Sequence, residues 1–125
     1  VIHLMPKQEE VMRRRSYGGT MRLGKWEAKV KKGTLAYSLY KKELTSERHR
    51  HRYEFNNKYA SQIEKKGLVI SARSVIENLV EIIELPKSSH PFYLGTQGHP
   101  EYKSRPLSPH PIFLGFLEAC AIMSK

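Results

Sequence analysis

The chain has 125 residues, 39% of them hydrophobic, and carries a formal net charge of +10 from 22 Lys and Arg against 12 acidic residues. Every acidic residue is Glu, which excludes Asp-based calcium loops and any Ser-His-Asp triad. The single cysteine, Cys120, excludes an internal disulfide, and no apolar run approaches the roughly 20 residues needed to cross a bilayer.

A chain of this size can bury one core, and its positive excess suits either a polyanionic partner or a basic, solvated surface. No charged-then-apolar leader of the secretory type is present, so a cytoplasmic protein without a membrane partner is expected. Val1 to Met5 is a short apolar run ending at Pro6 and predicts a buried strand. Lys7 to Tyr17 is basic at Arg13, Arg14 and Arg15 and leads into Gly18-Gly19, the composition of a flexible loop. Its arginines could meet phosphates or simply be solvated. Met21 to Leu23 and Trp26 to Val30 read as short strands, with Gly24 and Gly33 as turns. Thr34 is placed to cap a brief helix through Leu35, Leu39 and Tyr40.

Arg48 to Glu54 predicts a strand. Asn56 or Asn57 then caps a helix over Lys58 to Lys66, with Tyr59, Ala60 and Ile63 inward, and Gly67 stops it. Leu68 to Ser71, Leu79 to Leu85 and Phe92 to Thr96 are apolar runs of strand length, the first two spaced as a hairpin. Pro106, Pro109 and Pro111 mark an irregular connection, and Ile112 to Met123 closes the chain as a helix with Ile112, Phe116, Ala119 and Met123 in one stripe. Cys120 lies among apolar neighbours there, where a buried, unreactive thiol is expected.

Two stretches carry candidate chemistry. In Gln97-Gly98-His99-Pro100-Glu101 a strand delivers the histidine to a stiff turn, because Pro100 fixes its own φ and restricts His99. Glu101 is close enough to accept a hydrogen bond from one ring nitrogen, leaving the other to take a proton from a nucleophile. On spacing alone the pair is equally compatible with surface decoration. In Arg48-His49-Arg50-His51-Arg52-Tyr53 a strand puts both histidines on one face and the arginines on the other. A metal site lacks a third ligand, and none is assigned. The arginines could contact nucleic acid beside Tyr53, fork onto a small carboxylate, or form ion pairs on an exposed strand.

Gly18-Gly19-Thr20-Met21-Arg22-Leu23-Gly24, Glu47-Arg48-His49-Arg50-His51-Arg52-Tyr53-Glu54 with Asn56-Asn57, Val80-Glu81-Ile82-Ile83-Glu84, and His99-Pro100-Glu101 followed by Ser104-Arg105-Pro106 resemble, in this order, the C-terminal half of the CTP synthase glutaminase domain. His-Pro-Glu is shared by many class I glutamine amidotransferases, whereas the first two elements are far more specific to CTP synthases. The resemblance implies an α/β fold, the C-terminal portion of a three-layer flavodoxin-like amidotransferase domain whose central sheet these strands complete or flank. Residues 1–125 would form a partial domain, without the synthetase domain and without the half that bears the nucleophile.

By the same resemblance His99 and Glu101 are the base and acid of a Cys-His-Glu triad, and Arg52 with the backbone of Tyr53 holds the substrate glutamine. Arg13, Arg14 and Arg15 fall where the family has a lid loop linked to activation by GTP. The whole enzyme hydrolyses glutamine and uses the ammonia to aminate UTP to CTP with ATP and Mg2+, as a homotetramer formed through the absent domain. No Gly-x-Cys-x-Gly nucleophile elbow and no ATP phosphate loop occurs in the sequence. With Val1 first, a fragment is expected that binds no cofactor and has no activity alone; a degenerate module binding nucleotide or RNA through its basic surface is the alternative. Gly98 departs from the bulkier residue common before the histidine and is expected to loosen the backbone there.

Overall fold

Local chemistry sets most element boundaries in the computed structural model, which describes residues 1–5 and 21–124. Arg13, Arg14, Arg15 and the Gly18-Gly19 pair lie outside the described residues. Strand β1 (Ile2–Leu4) pairs antiparallel with β4 (Tyr53–Phe55) in a two-stranded sheet. Such a small sheet buries little, and Ile2 is exposed rather than buried as expected.

Strand β2 (Arg22–Val30) is continuous, so Gly24 is not the turn its composition suggested. Gly24 takes φ +84, yet Leu23↔Arg50, Gly24↔His49 and Lys25↔Arg48 pair without a break along β3 (Leu44–His51). Glycine is needed there for its backbone, since an added Cβ would meet nothing within 4 Å. Gly33 turns the chain at φ +77, and the Thr34 side chain accepts the Tyr37 N–H to start α1 (Leu35–Tyr40) as expected.

The strand predicted over Arg48 to Glu54 is divided at Arg52, where the chain leaves the larger sheet for β4. Asn56 caps a 3₁₀ turn (Asn57–Tyr59) that runs into α2 (Ala60–Glu64), and Gly67 follows at φ +95. Ala60 is buried and Ile63 packs inward, but Tyr59 is exposed. The predicted hairpin is present as β5 (Val69–Ser74) and β6 (Val80–Glu84), and β7 (Leu94–Thr96) extends it.

The larger sheet has the order β3-β2-β5-β6-β7, and every ladder among the described residues is antiparallel. This mixed α/β portion therefore supplies antiparallel strands of the fold. One core joins Ala28, Val30, Ala72 and Ile82 of the sheet to Ala36 and Tyr40 of α1 and to Ile112 at the start of α3 (Pro111–Met123). A second unites Phe55, Ala60, Ile70 and Val80. The β5–β6 register shifts between Ile70 and Ala72, and these residues pack into different clusters.

Two contacts seat the helices. Buried Glu84 of β6 accepts the N–H groups of Leu35 (2.6 Å) and Ala36 (2.9 Å), supplying an anionic cap to α1 from across the core. Gly115 of α3 lets that helix approach Leu39 and Phe92, because a side chain at this position would collide with Leu39. Beyond Ile112 and Gly115, α3 is mostly exposed. Of the expected inner stripe, Met123 is exposed and Phe116 is half exposed, although its ring meets Phe92 edge-on at 5.7 Å; Cys120 is exposed rather than buried.

Candidate active site

β7 ends at Thr96, and the chain turns immediately. The Thr96 hydroxyl accepts the Gly98 N–H at 3.0 Å, and the His99 N–H donates to the Arg48 carbonyl at 2.8 Å, tying the turn to edge strand β3. Pro100 opens a 3₁₀ turn (Pro100–Tyr102), the position where its missing N–H costs nothing. His99 Nδ1 then lies 2.7 Å from Glu101 Oε1. The hydrogen bond from His99 holds the Glu101 carboxyl below the usual carboxylate range, so it is an acceptor. Nδ1 therefore carries the proton, and the Nε2 lone pair can receive one from a nucleophile.

The Tyr102 ring stacks on the His99 imidazole at 5.2 Å with 22° between the planes. Sequence reading passed over Tyr102, although an aromatic three residues beyond a histidine on a 3₁₀ turn is positioned to meet it. Gly98 does not loosen this backbone. It is buried, and an added Cβ would lie 2.6 Å from Glu47 Cβ, so its lack of a side chain allows the turn to close onto β3.

A buried polar layer lies beneath. His49 Nδ1 is 3.0 Å from His51 Nε2, and His51 Nδ1 is 2.8 Å from the Tyr53 carbonyl. Because a carbonyl only accepts, His51 donates through Nδ1, and His49 donates to His51. The expected shared face of the two histidines is thus a relay of hydrogen bonds. Burial, followed by the charges of Arg22 and His51, pushes His49 down to about 3, and His51 is also lowered, chiefly by burial. The charge of His99 contributes, as the smallest cause, to both shifts.

Arg22 reaches in from β2, binds Glu81 of β6 at 2.5 Å, and packs over Trp26 at 4.4 Å. Glu81 is 3.7 Å from His49 Nε2, and burial raises its pKa despite the arginine. None of these long-range partners is marked by spacing in the sequence. Among the described residues no group of three metal-binding side chains is present.

Arg52 and Tyr53 sit at the corner where β3 passes into β4. The Arg52 carbonyl accepts the Met5 N–H at 3.0 Å, Arg52 is half-buried and Tyr53 is exposed. The His99 turn docks at Arg48, four residues before Arg52 in the chain. The structure thus brings His99 and Glu101 into contact and puts Arg52 at the bend that follows β3. Arg48 and Arg50 are exposed, as the alternation predicts.

Comparison with known proteins gives a consistent result. The sequence model of the family "Glutamine amidotransferase class-I" matches residues 8–119. The chain is 57% identical over 119 residues to a CTP synthase of Caldanaerobacter subterraneus subsp. tengcongensis, covering 95% of this chain and 21% of that protein. It is 56% identical, with the same coverage, to a CTP synthase of Rippkaea orientalis. It spans about a fifth of the length of these relatives. Among solved structures, the glutaminase domain of Trypanosoma brucei CTPS with bound acivicin superposes with a TM-score of 0.79 at 35% identity, over 97% of this chain and 46% of that one. With the family match spanning β2 to β7 and the His-Pro-Glu turn, the chain belongs to the class-I glutamine amidotransferase family.

Proposed function

We propose that this chain is the base-and-acid portion of the glutaminase domain of a cytoplasmic CTP synthase. The observation that carries the reading is the 2.7 Å bond between His99 Nδ1 and Glu101, on a turn pinned to β3. In this arrangement His99 Nε2 takes the proton from a cysteine nucleophile as that sulfur attacks the glutamine amide carbon. The resulting imidazolium, held by Glu101, returns the proton to the departing ammonia. Arg52 would grip the carboxylate of glutamine with its fork.

The remainder of the amidotransferase domain would supply the nucleophile and the oxyanion hole. The exposed apolar side chains of α3, Phe116, Leu117, Ile122 and Met123 among them, support the reading that more of the domain packs there. ATP, UTP and Mg2+ would act in a separate synthetase domain that consumes the ammonia, and this chain takes no part in that step. Arg13, Arg14 and Arg15 are proposed to meet the activator GTP. The whole enzyme is proposed to be a homotetramer.

Ammonia release from glutamine tests the reading. The chain alone should give none, and adding the nucleophile-bearing part of the domain should restore release that His99→Ala abolishes. Turnover by the chain alone that survives Cys120→Ser would overturn it. A second reading, a module binding nucleotide or RNA, is favoured by one feature. A cleft of about 720 Å³ is bordered by exposed Arg48 and Arg50 together with Tyr102 and Arg105. Salt-dependent RNA binding with no restorable glutaminase would select that alternative.

A further inference from the structure

Glu47, from the Glu47-to-Glu54 stretch, has no part in the chemistry above, yet it packs against the residues that flank the His99 turn. It is a buried carboxylate on β3, next to the residue whose carbonyl holds the His99 N–H. Gly98, at the entrance to the His99 turn, packs on its β-carbon. Lys103, which ends the turn, is 3.7 Å from Glu47 Oε1 and donates to the Ser46 carbonyl. The same oxygen is 2.9 Å from His110 Nε2 and accepts from the Tyr40 hydroxyl at 3.0 Å. His110 is the N-cap of α3, and its own N–H donates to Ser104 at 3.1 Å.

Both ends of the segment from Gly98 to His110 therefore converge on one side chain, which also reaches α1 through Tyr40. We propose that Glu47 is a positioning residue that clamps the His99 turn against β3 and so holds the imidazole in register with Glu101. The inference rests on the assignment of His99 and Glu101 as a catalytic pair. Burial alone would raise the Glu47 pKa, but His110, Lys103 and Tyr40 more than offset it and leave the carboxyl lowered. Glu47 is thus an anion at neutral pH, able to hold all three partners.

A clamp differs from a merely stabilising contact in what it does to the His99 tautomer. Nitrogen-detected NMR of the full chain reads the ratio of the Nδ1–H to the Nε2–H form. Glu47→Gln keeps the volume beside Gly98 and an acceptor for Tyr40, but it loses the charge that holds Lys103 and His110. It should lower the ratio by up to roughly tenfold, the equivalent of one hydrogen bond. Lys103→Met, which removes the ties of one half-exposed side chain to Glu47 and to the Ser46 carbonyl and leaves His110 and Tyr40 on Glu47, should lower it less and decides the matter if Glu47→Gln does not fold. Ile70→Val in the other core should reduce stability and leave the ratio unchanged.

A folded Glu47→Gln chain with a ratio within about twofold of wild type would overturn the clamp. So would an equal drop in Ile70→Val. Since the readout is a ring tautomer and not ammonia, failure of the glutaminase reading and failure of the clamp give separable results.

Discussion

Lowering the pH from about 7.5 to about 5 should destabilise the chain chiefly through His49. His49 is 4% exposed, and burial, followed by the charge of Arg22, pushes its pKa down to about 3 from an ordinary 6.5. The unfolded chain binds a proton at this histidine below about pH 6.5, while the folded chain resists until about 3, so stability falls with pH across that window. The slope approaches about 1.4 kcal/mol per pH unit, and the integrated loss by pH 5 is about 2 kcal/mol. His51, also lowered, adds to the loss. Glu54 and Glu81 are raised and oppose it, because in their windows the folded chain binds the extra proton. Urea unfolding midpoints at several pH values, for wild type and His49→Gln, measure the effect. Gln can replace the hydrogen bond to His51 but cannot titrate, so its stability should fall less by about 2 kcal/mol. Parallel curves for the two proteins would refute the assignment of the slope to His49.

Glu84→Ala should cost about 3 kcal/mol in the same urea assay, since it leaves the buried N–H groups of Leu35 and Ala36 without their carboxylate. Gly115→Val should cost about 1–3 kcal/mol by forcing Leu39 aside, and Leu39→Ala in the same chain should recover part of that loss, so the two changes are not additive. Cys120 is exposed on α3, so a thiol reagent should modify it in the folded chain about as fast as in urea, and Cys120→Ser should leave the far-UV circular dichroism unchanged.

What could be read from the sequence was chemistry that acts within a few residues. Thr34 and Asn56 announce their helical turns because a side-chain oxygen reaches an N–H only two or three positions on. Gly67 and Gly33 mark stops because positive φ is a property of one residue. The His99–Glu101 bond was legible for the same reason: Pro100 stiffens the link, and the partners are two positions apart. The alternation of Arg48 to His51 likewise foretold which side chains share a face.

Only the tertiary structure decided the rest, because the partners are far apart in the chain. Arg22 finds Glu81 across 59 positions and Glu47 finds His110 across 63, and no local pattern pairs them. Gly24 looked like a turn, yet eight residue pairs with β3 hold it inside a strand. Cys120 looked buried by its neighbours, but exposure depends on what α3 packs against, and that helix meets the core only near Ile112 and Gly115. The pairing of His99 with Glu101 was therefore visible in the sequence. The fold added what holds it: the Arg48 carbonyl, the Tyr102 ring and the Glu47 carboxylate, brought together by the pairing of β3 with β2 and by the return of the chain from β7.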